Sequence, residues 1–293
     1  MTQKPISKRP LSVDQIAAYL RDGVLRVPKL FDADELEPLR QAIAQDPTVN
    51  GQLYGMVDLE GEAQPICIWT DLGDDIIGMI PRMARMVEAT ESLLGESCYH
   101  WHSKITIKPA RCPALVDWHQ DYYSWYDDGV LFPKLITVGI AVEPSTRENG
   151  CMQVVPGSHR MGRIGHGGYD PVRFALAKEK LGVIHCELDV GDAIFFDCNT
   201  LHGSDANSTD QARVLLMSSY NAASNEPFEK ARGPNIEGAF MNISAAERAY
   251  RKLAKLPDDV LAKRLFKSAF QHTRFNRPRI SSQDGYTQAV PIK

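Results

Sequence analysis

The residues of this chain best suited to chemistry lie at 119–121, 202 and 213. Trp118-His119-Gln120-Asp121 places an imidazole and a carboxylate two residues apart. On a strand, residues i and i+2 face one side, so a ring nitrogen and a carboxylate oxygen can converge on one point. A second imidazole, His202, follows 83 residues later in Asn199-Thr200-Leu201-His202-Gly203-Ser204, after a segment that opens on Gly191-Asp192 and contains Phe195-Phe196. Two imidazoles and one carboxylate are the donor set of a facial triad, which holds ferrous iron and leaves coordination positions open. Arg213 comes 11 residues after His202, in the next apolar stretch. A fixed guanidinium there can grip a carboxylate through two parallel bonds. A His-x-Asp tripeptide alone is as readily an ordinary core or surface histidine. His-x-Asp, a Gly-Asp strand, a distal His and then Arg, in that order, is far more specific.

Something must hold these residues in place, and the chain changes character to do so. Ser12 with Gln15 reads as a capping box for a helix that stops at Gly23, and residues 24–27 read as a short strand. Asp32 can cap a second helix with Leu36, Leu39, Ile43 and Ala44 on one face. Residues 50–70 read as irregular, and 74–94 as one buried helix. From 100 to 108 the pattern has period two, Trp101, Ser103, Ile105 and Ile107 against His102, Lys104, Thr106 and Lys108. Further short strands are predicted at 116–122, 135–143, 153–155, 183–187, 193–197 and 214–220. Glu148-Asn149-Gly150, Pro156-Gly157-Ser158 and Val190-Gly191-Asp192 punctuate them. Such spacing points to a sandwich or jelly roll. The segment 162–182 begins glycine-rich and turns helical at Pro171, so it reads as a loop beside the opening. Segments 244–255 and 257–269 read as helices.

With these segments in this order, the chain resembles the phytanoyl-CoA dioxygenase superfamily of Fe(II)/2-oxoglutarate oxygenases, in the bacterial branch with the ectoine and phosphonate hydroxylases. The resemblance rests on residues 118–121, Asn149-Gly150-Cys151-Met152-Gln153-Val154-Val155-Pro156-Gly157-Ser158-His159-Arg160, the Gly191-Asp192 strand, Leu201-His202-Gly203-Ser204 and Arg213, and spans about residues 12–222. It implies a mainly β fold, a double-stranded β-helix (jelly roll, cupin-like) with flanking N-terminal and C-terminal helices. One domain, 1–293, would comprise a helical part at 1–95, a jelly-roll core at 96–222 and a helical cover at 223–293. His119, Asp121 and His202 would bind Fe(II). Arg213 and Ser204 would hold the distal carboxylate of 2-oxoglutarate, and Thr137 would supply another cosubstrate contact. Lys104 and Thr106 share a strand face and would point into the barrel; their alternative is a solvated strand edge. The implied reaction consumes O2, releases succinate and CO2, and hydroxylates an unactivated C–H bond of a small, soluble, polar or zwitterionic substrate. A carboxylate at 121 argues for hydroxylation, because related halogenases carry a small residue there. Desaturation, cyclisation, C–X cleavage, and acyl-CoA or natural-product substrates stay open. A non-catalytic cupin-like binding protein has no need of Arg213.

Tyr122-Tyr123-Ser124-Trp125-Tyr126 follows the His-x-Asp directly. Tyr122, Tyr123 and Trp125 read as an aromatic wall able to hold a cationic group of the substrate, or as plain aromatic packing. Arg163 and His166, in the glycine-rich loop, could reach an anionic group or simply face solvent.

Composition narrows the rest. The 293 residues are 43% hydrophobic and 24% charged, which excludes wholesale disorder. The net charge of −4 gives no whole-chain case for nucleic acid. It conceals a tail from Glu226 onward with 13 basic and 7 acidic residues on a chain whose remainder is acidic. That tail reads as a cover and a homo-oligomer surface. No apolar run suits a secretory leader or a membrane helix. Six scattered cysteines without a Cys-x-x-Cys spacing read as free thiols in a reducing cytoplasm. No Gly-x-Ser-x-Gly elbow supports a serine hydrolase.

Overall fold

α1 (Val13–Asp22) opens on a complete capping box: Ser12 Oγ accepts from the Gln15 amide at 3.2 Å, and Gln15 accepts from the Ser12 amide at 2.9 Å. It ends at Gly23, in the left-handed region at φ 71°. A Cβ there would also meet the His159 ring at 2.3 Å, so His159 packs this turn. The computed structural model describes residues 11–45, 51–70, 72–165, 170–227, 255–261, 275–276 and 289–291.

β1 (Val24–Val27) and α2 (Ala33–Gln45) follow as their patterns predict, with Leu36, Leu39 and Ile43 buried; Ala44 is exposed. Of the stretch 50–70, the described residues 51–70 are not irregular. They form a hairpin of β2 (Tyr54–Val57) and β3 (Ala63–Trp69), its turn fastened by Asp58 Oδ1, which accepts from the Glu60 and Glu62 amides. Gly55 and Pro65 mask the strand pattern, and pairing with the next strand supplies what local propensity lacks. Segment 74–94 is not one helix either. It divides into α3 (Ile76–Met79), a 3-10 turn (Ile80–Arg82) and α4 (Ala84–Leu94). Pro81 has no N–H for a helical ladder, and Met83 turns extended at ψ 139°.

The strands that carry the site are β4 (Cys98–Lys108), β5 (Val116–His119), β6 (Leu135–Ala141), β7 (Met152–Val154), β8 (Ile184–Cys186), β9 (Ala193–Asp197), β10 (His202–Ser204) and β11 (Arg213–Ala222). Two short helices interrupt them, α5 (Tyr122–Asp127) and α6 (Pro171–Leu181). Two segments of the tail, β12 (Phe275–Asn276) and β13 (Ala289–Pro291), join the large sheet. The tail is therefore not purely helical. Residues 255–261 form a bridge and turns, and the rest of the two predicted tail helices lies outside the described residues.

The strands make two antiparallel sheets. The larger runs β1-β9-β6-β11-β4-β3-β2-β13, with β12 on β3; the smaller runs β5-β10-β7-β8. They face each other without closing a barrel. Alternation decides which residue goes where. On the large sheet, Ile105, Ile136, Val138, Ile140, Phe195 and Leu216 point outward and pack under the N-terminal helices. Ala141, Ile194, Phe196, Leu215 and Met217 point inward and meet Met152, Val154 and Cys186 of the small sheet. His102, Lys104, Thr106 and Lys108 share the inner face of β4, opposite Ser219, Met217, Leu215 and Arg213 of β11. The polar inner positions are the site.

Candidate metal and cosubstrate site

β5 and β10 pair so that His119 stands directly opposite His202. Their rings lie 4.2 Å apart, centre to centre. Each His Nδ1 donates to a backbone carbonyl two residues earlier, Asp117 O at 2.7 Å and Thr200 O at 2.9 Å. That fixes the tautomer and leaves Nε2 as a lone-pair donor on both rings.

Asp121 reaches the same point by another route than the sequence suggests. β5 ends at His119, and Asp121 already has helical dihedrals (φ −58°, ψ −36°) at the start of α5. A turn, not strand alternation, aims the carboxylate. Its Oδ1 lies 3.6 Å from His119 Nε2 and 4.0 Å from His202 Nε2, and the three ligand atoms all fall within 4.8 Å of one another. Burial alone would push the Asp121 carboxyl up. Lys104, with His119 and His202, more than reverses this and holds it well below the usual carboxylate range. Burial, then His119, pushes the His202 imidazole down to about 3 against the pull of Asp121. Two imidazoles with Nε2 turned to one point and a carboxylate anion are a donor set that suits Fe(II).

Two residues that support this triad carry no motif of their own. Thr137 Oγ1 donates to Asp121 Oδ2 at 3.3 Å and contacts Ser219 Oγ at 2.8 Å. The structure thus places Thr137 on the carboxylate ligand. Gln120, between the ligands, donates to Gly162 O at 2.9 Å and Asn199 O at 2.6 Å and accepts from the Ile164 amide at 2.8 Å. It ties the turn of the triad to the loop bearing Arg163 and to the approach to His202. Thr137→Val is expected to weaken iron binding about 10- to 100-fold, the usual cost of removing a hydrogen bond that orients a ligand. Competition with a metallochromic chelator measures this, and unchanged affinity contradicts the role.

Away from the triad, Arg213 at the start of β11 is 3% exposed, and its Nε and Nη2 have no hydrogen-bond partner. Burial pushes it down to about 10. Ser204 Oγ, buried at the end of β10, is likewise unpartnered. A buried guanidinium without a counter-ion is costly, and such a cradle fits the carboxylate of a cosubstrate. The residues therefore fit both groups: the triad offers a donor set for iron, and Arg213 an unpartnered guanidinium for a carboxylate of 2-oxoglutarate.

The aromatic segment is arranged differently from an open wall. Tyr122 is buried among Tyr99, Trp101, Trp125 and Val130, and its hydroxyl donates to Val130 O and Leu131 O. Trp125 is buried edge-on to His102, with centroids 5.7 Å apart. Tyr123 and Tyr126 are covered by the chain's own Arg163, whose Cζ lies 5.3 Å and 4.2 Å from their ring centres. Lys104 stands beside the triad, and its charge acts on Asp121 and His202. Thr106 is buried on the same face of β4, opposite Leu215. His166 lies outside the described residues.

A family model for phytanoyl-CoA dioxygenase (PhyH) matches residues 19–215, two thirds of the chain and all four of the residues just described as triad and clamp. The chain belongs to the phytanoyl-CoA dioxygenase family. It is an Fe(II)/2-oxoglutarate-dependent dioxygenase, as its motifs lead one to expect. The ectoine dioxygenase of Bordetella bronchiseptica is 26% identical over 267 residues, covering 84% of this chain and 87% of that one. Among solved structures, EctD from S. alaskensis with 2-oxoglutarate and 5-hydroxyectoine superposes with a TM-score of 0.71 at 23% identity, over 87% of this chain and 90% of that one. The carbocyclase SnoK of nogalamycin biosynthesis shares the fold at a TM-score of 0.59 and 17% identity, covering 96% of each chain. The jelly-roll expectation therefore holds for this phytanoyl-CoA dioxygenase family member, as two facing sheets.

Proposed function

We propose that this dioxygenase hydroxylates a small, polar, carboxylate-bearing substrate, a zwitterion of the ectoine kind. The observation that carries the cosubstrate half is the buried Arg213, whose Nε and Nη2 have no partner. The substrate half rests on charge. Lys104 beside the triad and Arg163 over Tyr123 and Tyr126 both present cations, so the anionic end of a substrate has partners. Arg163 already takes one face of Tyr123 and one face of Tyr126, which leaves less ring surface for a substrate ammonium. The likeness to ectoine dioxygenases supports the size and polarity of this class.

Bound iron supplies the oxidising power for C–H cleavage; the chain supplies placement and electrostatics. His119, Asp121 and His202 would hold the metal. Arg213 and Ser204 fix the far carboxylate of the cosubstrate. Thr137 and Gln120 hold the Asp121 turn in register. The apolar inner residues Leu215, Met217 and Phe196 keep water from the space between the sheets. No helix among the described residues is long and apolar enough to cross a membrane. All six cysteines are free and buried, in keeping with a reducing cytoplasm. One domain with a basic tail suited to self-association completes the reading.

The test is succinate release from 2-oxoglutarate with Fe(II), with and without a panel of small zwitterions, amino acids, phosphonates and acyl-CoA thioesters. Stimulation by a carboxylate-bearing zwitterion, with the hydroxylated product found by mass spectrometry, is the expected result. Stimulation by acyl-CoA thioesters alone overturns the substrate class.

A further inference from the structure

Lys108 has no part in the reading above, yet it stands directly opposite Arg213 in the β4–β11 register, on the same inner face. Its side chain is fully buried at 0% exposure. The ammonium donates to Ala114 O at 2.6 Å and Asp205 O at 2.5 Å, both neutral acceptors, which leaves one of its three protons to use. Neither Lys108 nor Arg213 has an anion in hydrogen-bond contact among the described residues. Continuing the register that pairs Ile66 with Thr106 brings Gln64 of β3 beside Lys108. Gln64 is 0% exposed, and both its amide atoms are unpartnered. One end of the space between the sheets thus gathers two buried cations and an unsatisfied amide across three neighbouring strands. Such a set is unfavourable by itself and suits an arriving carboxylate.

We propose that Lys108 is a positioning residue of the 2-oxoglutarate clamp, a second cation whose protonation is coupled to cosubstrate binding. This rests on the assignment of Arg213 to the cosubstrate carboxylate. Burial first, then Arg213, pushes the Lys108 ammonium down to about 7, while Cys112, Asp205 and Asp58 pull the other way. Near neutral pH a sizeable share of the free protein therefore lacks this charge. A carboxylate placed against Arg213 favours the charged form of its neighbour. Its value in the complex lies above 7, so binding takes up a proton at alkaline pH. Affinity is greatest below pH 7 and falls as pH rises, by up to about tenfold per unit until the value in the complex is reached.

Calorimetric titration of anaerobic, Fe(II)-loaded protein with 2-oxoglutarate, in two buffers of different ionisation enthalpy, reads this directly. At pH 8 the heat is expected to depend on the buffer, with close to one proton taken up per site. In Lys108→Met the uptake disappears and the dissociation constant becomes flat between pH 6.5 and 8.5. Lys108→Arg, charged throughout, also removes the uptake and serves if the methionine variant fails to fold. Buffer-independent heat in the wild-type protein, or full uptake in either variant, overturns the proposal. A purely structural lysine, tying Ala114 and Asp205, takes up no proton on binding and so predicts one or other of these two outcomes. Arg213→Met separates the two readings: if it leaves 2-oxoglutarate binding unchanged, the clamp assignment itself fails.

Discussion

Arg213→Met raises the KM for 2-oxoglutarate by about 10²- to 10³-fold and at the same time makes the ligand-free protein more heat-stable. The first effect follows from removing one partner of a buried charge pair, which costs about 2–5 kcal/mol of binding. The second follows from the ligand-free structure. Arg213 is 3% exposed with two unpartnered nitrogens, so its charge is a standing cost there. An apolar side chain of similar length removes that cost, and such exchanges stabilise proteins by about 1–4 kcal/mol. Adding 2-oxoglutarate then raises the melting temperature of the wild-type protein but not of the variant, because only a bound ligand shifts the folding equilibrium. Steady-state succinate assays and thermal melts check both halves. A KM within about threefold of wild type would sink the clamp.

Asp121→Asn abolishes iron retention and lowers turnover by at least about 10³-fold, well beyond the 10- to 100-fold cost of losing a supporting hydrogen bond. The amide keeps the shape, and its oxygen can still accept from Thr137 Oγ1, so packing around the turn changes little. What is lost is the anion that Lys104 and the two histidines face. Without it, the Lys104 charge is no longer offset by an anionic ligand and repels an incoming cation. Metal content after gel filtration and the succinate assay measure the two effects. A variant that retains iron at near wild-type stoichiometry contradicts the triad.

Much of the site was legible in one dimension because its codes are local. The Ser12–Gln15 box, the stop at Gly23, the alternation along β4 and the order His-x-Asp, Gly-Asp, His, Arg each lie within a few residues or in a fixed sequence order. Where the expectation failed, tertiary contacts outweighed local pattern. The β2–β3 hairpin forms because β4 offers it an edge, although Gly55 and Pro65 weaken its own pattern. The strand drawn through 116–122 stops at His119, since Tyr122 and Trp125 gain more by burying in a helix against Tyr99 and Trp101. Tyr122 and Trp125 became core for the same reason, and Arg163 stacks on Tyr123 and Tyr126.

By itself the sequence determined which side chains could bind metal and cosubstrate, and in what order the elements that carry them follow. Only the tertiary structure decided how they meet. Asp121 is aimed by a helical turn, Thr137 lands on its carboxylate, Gln120 bridges two loops, and Lys108 comes to rest opposite a guanidinium that has no counter-ion among the described residues. The physical reason is register. Which residue faces which across β4, β6, β10 and β11 depends on pairing between strands distant in the chain, and a shift of one residue would turn each of these side chains to the other face.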